Sequence, residues 1–167
     1  MHYRLKRLSA TETDQLLDEI EASFDHYGFG MWAVQRIDDQ RLIRSVGMEV
    51  ACDESLFAPA HHIGWTLARD AWGYGYATEG ATAVLDHVFE VVGLPEVVAH
   101  TTSANERSRA VMRRLAMTHN PADDVDGPRY PLGHQYRRLV LNRMTASEWG
   151  VPREEVEHTT AVMSVTP

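Results

Sequence analysis

Cysteine is almost missing from this chain. Cys52 stands alone, which excludes an internal disulfide and any metal site built on several thiolates. No apolar run approaches the ~20 residues of a bilayer span. The start, Met1-His2-Tyr3-Arg4-Leu5-Lys6, is basic, but no apolar stretch follows it, so a secretory signal is not expected. The default expectation is a cytoplasmic protein without a membrane partner. Positive charge is also scarce. The chain carries 16 Lys and Arg against 24 Asp and Glu, a net charge of −8. Nucleic acid is therefore not an expected partner, because phosphate backbones are met by clustered basic residues. An amine-bearing, cationic substrate is electrostatically welcome. Internal repeats and linker-like composition are absent too. With 44% hydrophobic and 24% charged residues over 167 positions, the chain reads as one domain over residues 1–149 with a real core, followed by a tail over 150–167.

What is present is a mixed order of elements. Ser9 and Glu12 make a capping box for a helix over 9–26, with Leu16, Leu17, Ile20 and Phe24 on one face. Residues 31–37 and 42–51 read as two strands of a hairpin, and 61–68 as a third strand. A helix over 78–92 follows, with Gly93 as its stop. Then come a short strand at 96–101, a second helix at 105–117, a polar loop at 120–135 and a last strand at 137–144. Strand, helix and strand in the middle of that order imply a parallel pair.

Between the third strand and its helix lies Arg69-Asp70-Ala71-Trp72-Gly73-Tyr74-Gly75-Tyr76-Ala77-Thr78-Glu79-Gly80. Strand, glycine loop and helix N-terminus together form an anion site in waiting. Unpaired N–H groups point out of the helix end, and glycines let an anion approach the backbone. Three readings compete. The first is a tight turn with no ligand. The second, a dinucleotide-binding turn, fits Gly73 and Gly75 but finds Thr78 where a third glycine belongs. The third, a P-loop, fails, since no Gly-Lys-Ser/Thr follows.

The second helix, Asn105-Glu106-Arg107-Ser108-Arg109-Ala110-Val111-Met112-Arg113-Arg114-Leu115-Ala116-Met117, separates them. Together with Trp72 to Glu79 it resembles the GNAT superfamily of N-acetyltransferases, and more narrowly its RimJ/RimL-like branch of ribosomal-protein N-terminal acetyltransferases. The resemblance runs from about Ser9 to Trp149. It implies an α+β fold, a twisted mixed sheet splayed between its two central parallel strands and flanked by helices. It implies acetyl-CoA as co-substrate and no metal. Its diphosphate pattern falls on Trp72, Gly73, Tyr74, Gly75, Tyr76 and Ala77, next to Thr78 at the helix start. The strand end at Leu67, Ala68 and Arg69 would pair with the pantetheine arm like an added strand, and Asn105 and Ser108 would face the thiol end.

Acetyl transfer to a primary amine, in a protein N-terminus or a small molecule, needs a base for the amine, a donor for the thioester carbonyl and an acid for the thiolate. The resemblance puts the carbonyl donor near Leu67. Met112 occupies the place where relatives carry a tyrosine acid, which leaves Ser108 as the candidate. His62, in His62-Ile63-Gly64-Trp65, replaces the usual glutamate and is a suitable base, with Glu49 as a second candidate. His61 belongs to the other face of the strand, and Glu79 complements the helix dipole. Asp123, Asp124 and Asp126 read as a solvated loop, and Cys52 as inert.

Three departures from the resemblance stand out. Ala116 and Arg44 occupy positions where relatives favour glycine. The strand and helix that the resemblance implies before the helix at 9–26 are not read in the sequence, so a sheet edge is expected to be exposed unless a second subunit, as in a homodimer, or the C-terminal tail covers it. A member that binds CoA or a protein without acetyl transfer is the alternative these departures keep open. A nicotinamide-dependent oxidoreductase is the third, and it requires NADH to stabilise the chain more than CoA does.

Overall fold

In a computed structural model the described residues are 8–51, 56–57 and 59–150, together with the backbone of 163–166. Helix α1 (Ala10–Tyr27) starts on the expected capping box. Ser9 Oγ accepts the Glu12 N–H, and the Glu12 carboxylate accepts the Ser9 N–H at 2.7 Å. It stops at Gly28, whose φ of 74° suits the left-handed cap. Strands β1 (Met31–Arg36), β2 (Leu42–Ala51) and β3 (Ala60–Leu67) form an antiparallel meander. Helix α2 (Tyr76–Asp86) continues into a π-helical turn, His87–Val92, which Gly93 ends at φ 79°. Strand β4 (Glu96–Thr102) lies parallel to β3. Helix α3 (Glu106–Arg114) is followed by two short strands, β5 (Thr118–His119) and β6 (Val125–Asp126), inside the segment expected to be all loop. Strand β7 (Arg138–Thr145) pairs with β4, β5 and β6, and a single turn, α4 (Ala146–Trp149), follows it.

The sheet runs β5-β7-β4-β3-β2-β1-β8, with β6 also on β7. This is the mixed α+β architecture expected from the sequence, with its parallel pair at the centre. Helix α2 begins at Tyr76, two residues before the expected Thr78. The reason is Gly75, whose carbonyl accepts from both Thr78 N–H (2.9 Å) and Glu79 N–H (3.1 Å), so the first turn counts from Tyr76. Residues 163–166, expected to lie in a tail without pattern, form β8. It pairs antiparallel with β1, from Ala33↔Thr166 to Arg36↔Met163. It lies along the outer edge of β1, where the sequence reading expects an uncovered strand. The expectation for Cys52 falls outside the described residues.

The core is one cluster between the sheet and helices α2 and α3. Ile43, Met48, Val97, Leu85, Met112 and Leu115 are each within 1% of full burial. Met112, where the resemblance leads one to expect a tyrosine, packs in this cluster. Apolar burial of that kind stabilises by about 25 cal/mol per Å².

Both glycine-to-other departures sit where glycine would relieve strain. Arg44 has φ 112°, beside the register shift between β1 and β2, and Ala116 has φ 58° just beyond α3. Changing either residue to glycine is expected to raise stability by about 0.5–1 kcal/mol, because the left-handed region costs a residue with a Cβ roughly that much. Urea unfolding would show it as a higher midpoint with an unchanged slope. A lower midpoint for both variants would mean that the lost side-chain contacts outweigh the strain.

Candidate functional site

The glycine loop is built so that its backbone amides are left open. Trp72 N–H donates to the Arg69 carbonyl at 3.2 Å and closes a short 3-10 turn. Gly73 and Gly75 then take φ values of 89° and 90°, which residues with a Cβ seldom adopt. Among the described residues no acceptor faces the N–H groups of Gly73, Tyr74, Gly75, Tyr76 and Ala77. They lie at the positive end of α2, and that end attracts anions.

Positive side chains stand beside it. The Arg69 and Arg107 guanidinium carbons lie 5.9 and 4.7 Å from the Trp72 ring centroid. Arg107, on α3, was missed in the sequence. Its only signal there is its place two residues beyond Asn105 on the exposed face of the helix. The indole N–H of Trp72 donates to the Leu67 carbonyl at 2.9 Å and so ties the loop to the end of β3. Tyr76, expected in the site, is 8% exposed and its ring belongs to the core, so only its amide is offered. Tyr74 stacks on it at 5.8 Å and is 66% exposed.

Next to the loop the sheet opens. The register between β3 and β4 holds only one pair, His62↔Val98. Beyond it, Ala68 N–H turns to the Ile43 carbonyl on β2 at 3.0 Å. Backbone groups alternate sides along a strand, so the N–H and C=O of Leu67 point into the opening toward β4.

Across the opening stands the start of α3. Asn105 caps it by accepting Ser108 N–H at 3.3 Å. The Asn105 amide donates to Thr101 Oγ1 (2.9 Å) and to Ser108 Oγ (3.1 Å). Thr101 and Ser108 are 4% and 5% exposed.

A second group of polar residues lies on the other face of the sheet, since side chains alternate along β4 and Thr101 follows His100. His62 Nδ1 lies 2.9 Å from His100 Nδ1, with ring centroids 4.8 Å apart and planes at 80°. Glu49 is the β2 residue directly opposite His62, so the two base candidates face each other across neighbouring strands. His61, on the core face, meets Phe29 edge-on at 5.8 Å. Phe57 lies 5.0 Å from the His100 ring. The same Phe57 lines a cavity of about 350 Å³ with Leu56, Val98, Val125 and Leu141. At its edge Arg143 joins Glu96 (2.8 Å) and Asp123 (3.0 Å). The hydrogen bond to Asp123, ahead of the attraction of Glu96, raises the Arg143 pKa above its ordinary value. Asp123, expected to be solvated, is in fact ion-paired.

The structure thus joins Leu67 to Thr78 into one continuous strand end and loop, and Asn105 to Ser108 on one side of the sheet. It sets Glu49 and His62 together on the other. Ser108 and His62 do not share a face, and the opening between β3 and β4 is the passage that separates them. Among the described residues no group of three or more His, Cys, Asp or Glu is placed to hold a metal ion, and no helix is long and apolar enough to cross a membrane.

Residues 1–118 match the family model described as the acetyltransferase (GNAT) domain. Over 98 residues the chain is 43% identical to the FsC-acetyl coenzyme A-N(2)-transacetylase of Aspergillus fumigatus, covering 52% of this chain and 42% of that protein. The chain thus spans less than half the length of this curated relative. Its fold is similar to that of an acetyltransferase from Agrobacterium tumefaciens, with a TM-score of 0.61 and 25% identity over 82% of this chain and 72% of that one. It is also similar to the ribosomal-protein-S5-alanine acetyltransferase of Vibrio fischeri, with a TM-score of 0.69 and 18% identity over 87% and 79% of the two chains.

Proposed function

The chain belongs to the acetyltransferase (GNAT) family, and from that premise we propose that it moves an acetyl group from acetyl-CoA to a primary amine by direct attack while both are bound. The observation that carries this reading is the row of open amides from Gly73 to Ala77 at the positive end of α2, beside the opening between β3 and β4. A diphosphate is the anion such a row suits, and Arg69 and Arg107 add charge in a chain that is otherwise acidic. The Leu67 N–H, which faces the opening while its carbonyl accepts the Trp72 indole N–H, would polarise the thioester carbonyl. When bound, acetyl-CoA supplies an activated acyl group. The chain's own share is to position the two reactants, which is worth several kcal/mol in well-oriented systems.

Ser108 is the proposed proton donor for the departing sulfur, and Asn105 orients it. His62 and Glu49 are the proposed bases. The proposed acceptor class is a primary amine, in a protein N-terminus or a small molecule; the names of the Vibrio relative, a ribosomal-protein-S5-alanine acetyltransferase, and of the Aspergillus relative, an N(2)-transacetylase, are in keeping with acetyl transfer to nitrogen. The cavity lined by Phe57, Val98, Val125 and Leu141, with Glu96, Asp123 and Arg143 also in its wall, is the proposed acceptor site.

The direct test is thiol release from acetyl-CoA over a panel of amines, with CoA binding measured by calorimetry. Release with at least one amine supports the reading. Binding of CoA without release for any amine would mark a CoA-binding protein that does not transfer. Ser108→Ala is expected to lower turnover 10- to 100-fold and leave the acetyl-CoA Kd within about twofold. Unchanged turnover would remove Ser108 from the reaction.

A further inference from the structure

Strand β3 ends at Leu67, and the N–H and C=O of one strand residue point to the same side. At Leu67 that side is the opening toward β4, because the next amide, Ala68 N–H, is taken by the Ile43 carbonyl of β2 at 3.0 Å. The strand end therefore offers the opening one donor and one acceptor. An acyl arm lying there has two ways to meet it. An amide N–H of the arm can sit on the Leu67 carbonyl, or a carbonyl oxygen of the arm can sit on the Leu67 N–H. Only the second arrangement polarises a thioester.

The loop returns a side chain to this point. Ala71 N–H donates to the Ala68 carbonyl at 3.0 Å, and Trp72 N–H to the Arg69 carbonyl at 3.2 Å. That turn folds the chain back on itself, and the Trp72 indole N–H donates to the Leu67 carbonyl at 2.9 Å. An indole nitrogen is a donor only. It engages the acceptor of the strand end and leaves the donor for a ligand.

Burial does not explain why a tryptophan stands here. Trp72 is 38% exposed and lies outside the core cluster. What surrounds its ring is charge, with the Arg107 and Arg69 guanidinium carbons 4.7 and 5.9 Å from the centroid. Arg107 belongs to α3, between Asn105 and Ser108. One indole therefore touches the end of β3 through its N–H and the start of α3, across the opening, through its ring face.

We propose that Trp72 is the positioning residue for the acyl arm. Its indole N–H occupies the Leu67 carbonyl and so sets the register in which the thioester oxygen, not an amide N–H of the arm, meets the Leu67 N–H. Its ring face holds Arg107 at the mouth of the opening. This rests on the reading of the chain as an acetyltransferase. The two parts of the side chain have separable effects. The N–H acts on the reaction step, through the aim of the Leu67 amide. The ring acts on cofactor affinity, through Arg107.

Two measurements on the full chain test this. The first needs no acceptor and no variant. The Trp72 indole N–H is assigned by NMR through its ring protons, and its exchange with solvent is followed in the free protein and at saturating acetyl-CoA. It should exchange at least about tenfold more slowly than a free indole in both. Exchange at the free-indole rate, or loss of protection when acetyl-CoA binds, would overturn the proposal. The second compares Trp72→Phe, which retains a ring face and lacks the donor, with Arg107→Gln. Trp72→Phe should lower kcat about tenfold and leave the acetyl-CoA Kd within about twofold. Arg107→Gln should show the opposite split, with Kd weakened about fivefold and kcat lowered by less. An unchanged kcat in Trp72→Phe, or a Kd and Tm that fall in step with kcat, would reduce Trp72 to loop packing and overturn the proposal. If the parent binds acetyl-CoA and releases thiol with no amine, the acetyltransferase reading fails. The indole exchange in the bound protein then still decides whether Trp72 retains the Leu67 carbonyl.

Discussion

Gly75→Ala should weaken acetyl-CoA binding by at least about tenfold, a loss of some 1.4 kcal/mol. Gly75 holds φ at 90°, so a Cβ there is strained by about 1–2 kcal/mol. No heavy atom lies within 4 Å of where that Cβ would be, so it would not clash within the protein. It would instead push the loop toward ordinary dihedrals and swing the amides of Gly73 to Ala77 out of their common direction. Gly93→Ala is the matched control. Gly93 has φ 79°, equally open space and a place at the far end of the same helical segment. Both variants should lose stability by a similar amount, but only Gly75→Ala should lose affinity. Calorimetry with acetyl-CoA and thermal unfolding of both proteins separate strain from binding. Equal Kd values for the two would show that the loop does not hold the diphosphate.

Gly47→Ala should be the most damaging methyl that can be added to the sheet. A Cβ at Gly47 would overlap the Gly30 carbonyl oxygen and approach the Met31 Cα to 2.6 Å. Neither can yield, since Gly30 O already accepts the Met48 N–H at 2.9 Å and Met31 is paired with Gly47 in the β1–β2 register. The expected cost exceeds about 3 kcal/mol, which for a chain of this size lowers Tm by roughly 10 °C. Gly64 is the partner of Gly47 on β3, yet a Cβ there meets nothing within 4 Å. Gly64→Ala should therefore stay within about 0.5 kcal/mol of the parent. Thermal unfolding of the pair is the check. A mild Gly47→Ala would mean that β1 can move away from β2.

What the sequence made readable follows from how local each cause is. The cap at Ser9, the glycines of the loop and the alternation along β2 and β3 act within a few residues, and those elements lie within a residue or two of expectation. The start of α2 was set two residues late, because a carbonyl at Gly75 that accepts two amides leaves no mark in composition. The two-residue strands β5 and β6 escaped, since they exist only through their pairing with β7. The strand β8 escaped for the same reason: its partner β1 is far away in sequence. In the site, Asn105 and Ser108 were readable as a motif, and their contact with Thr101 was not. His100 gave no signal, because its significance depends on which strand lies beside it. The same holds for Arg107, whose partner Trp72 belongs to another element.

The single register pair between β3 and β4 also has a mechanical meaning. The sheet is two stiff plates, one of β8, β1, β2 and β3 and the other of β4, β7 and their short partners, riveted by backbone pairing only at His62 and Val98. Each plate resists shear through its own ladders, while a small rotation about the rivet changes the width of the gap at the free end without breaking a ladder on either side. Helix α2 with its π-helical turn joins the end of β3 to the start of β4, so the chain connection between the two plates spans that gap.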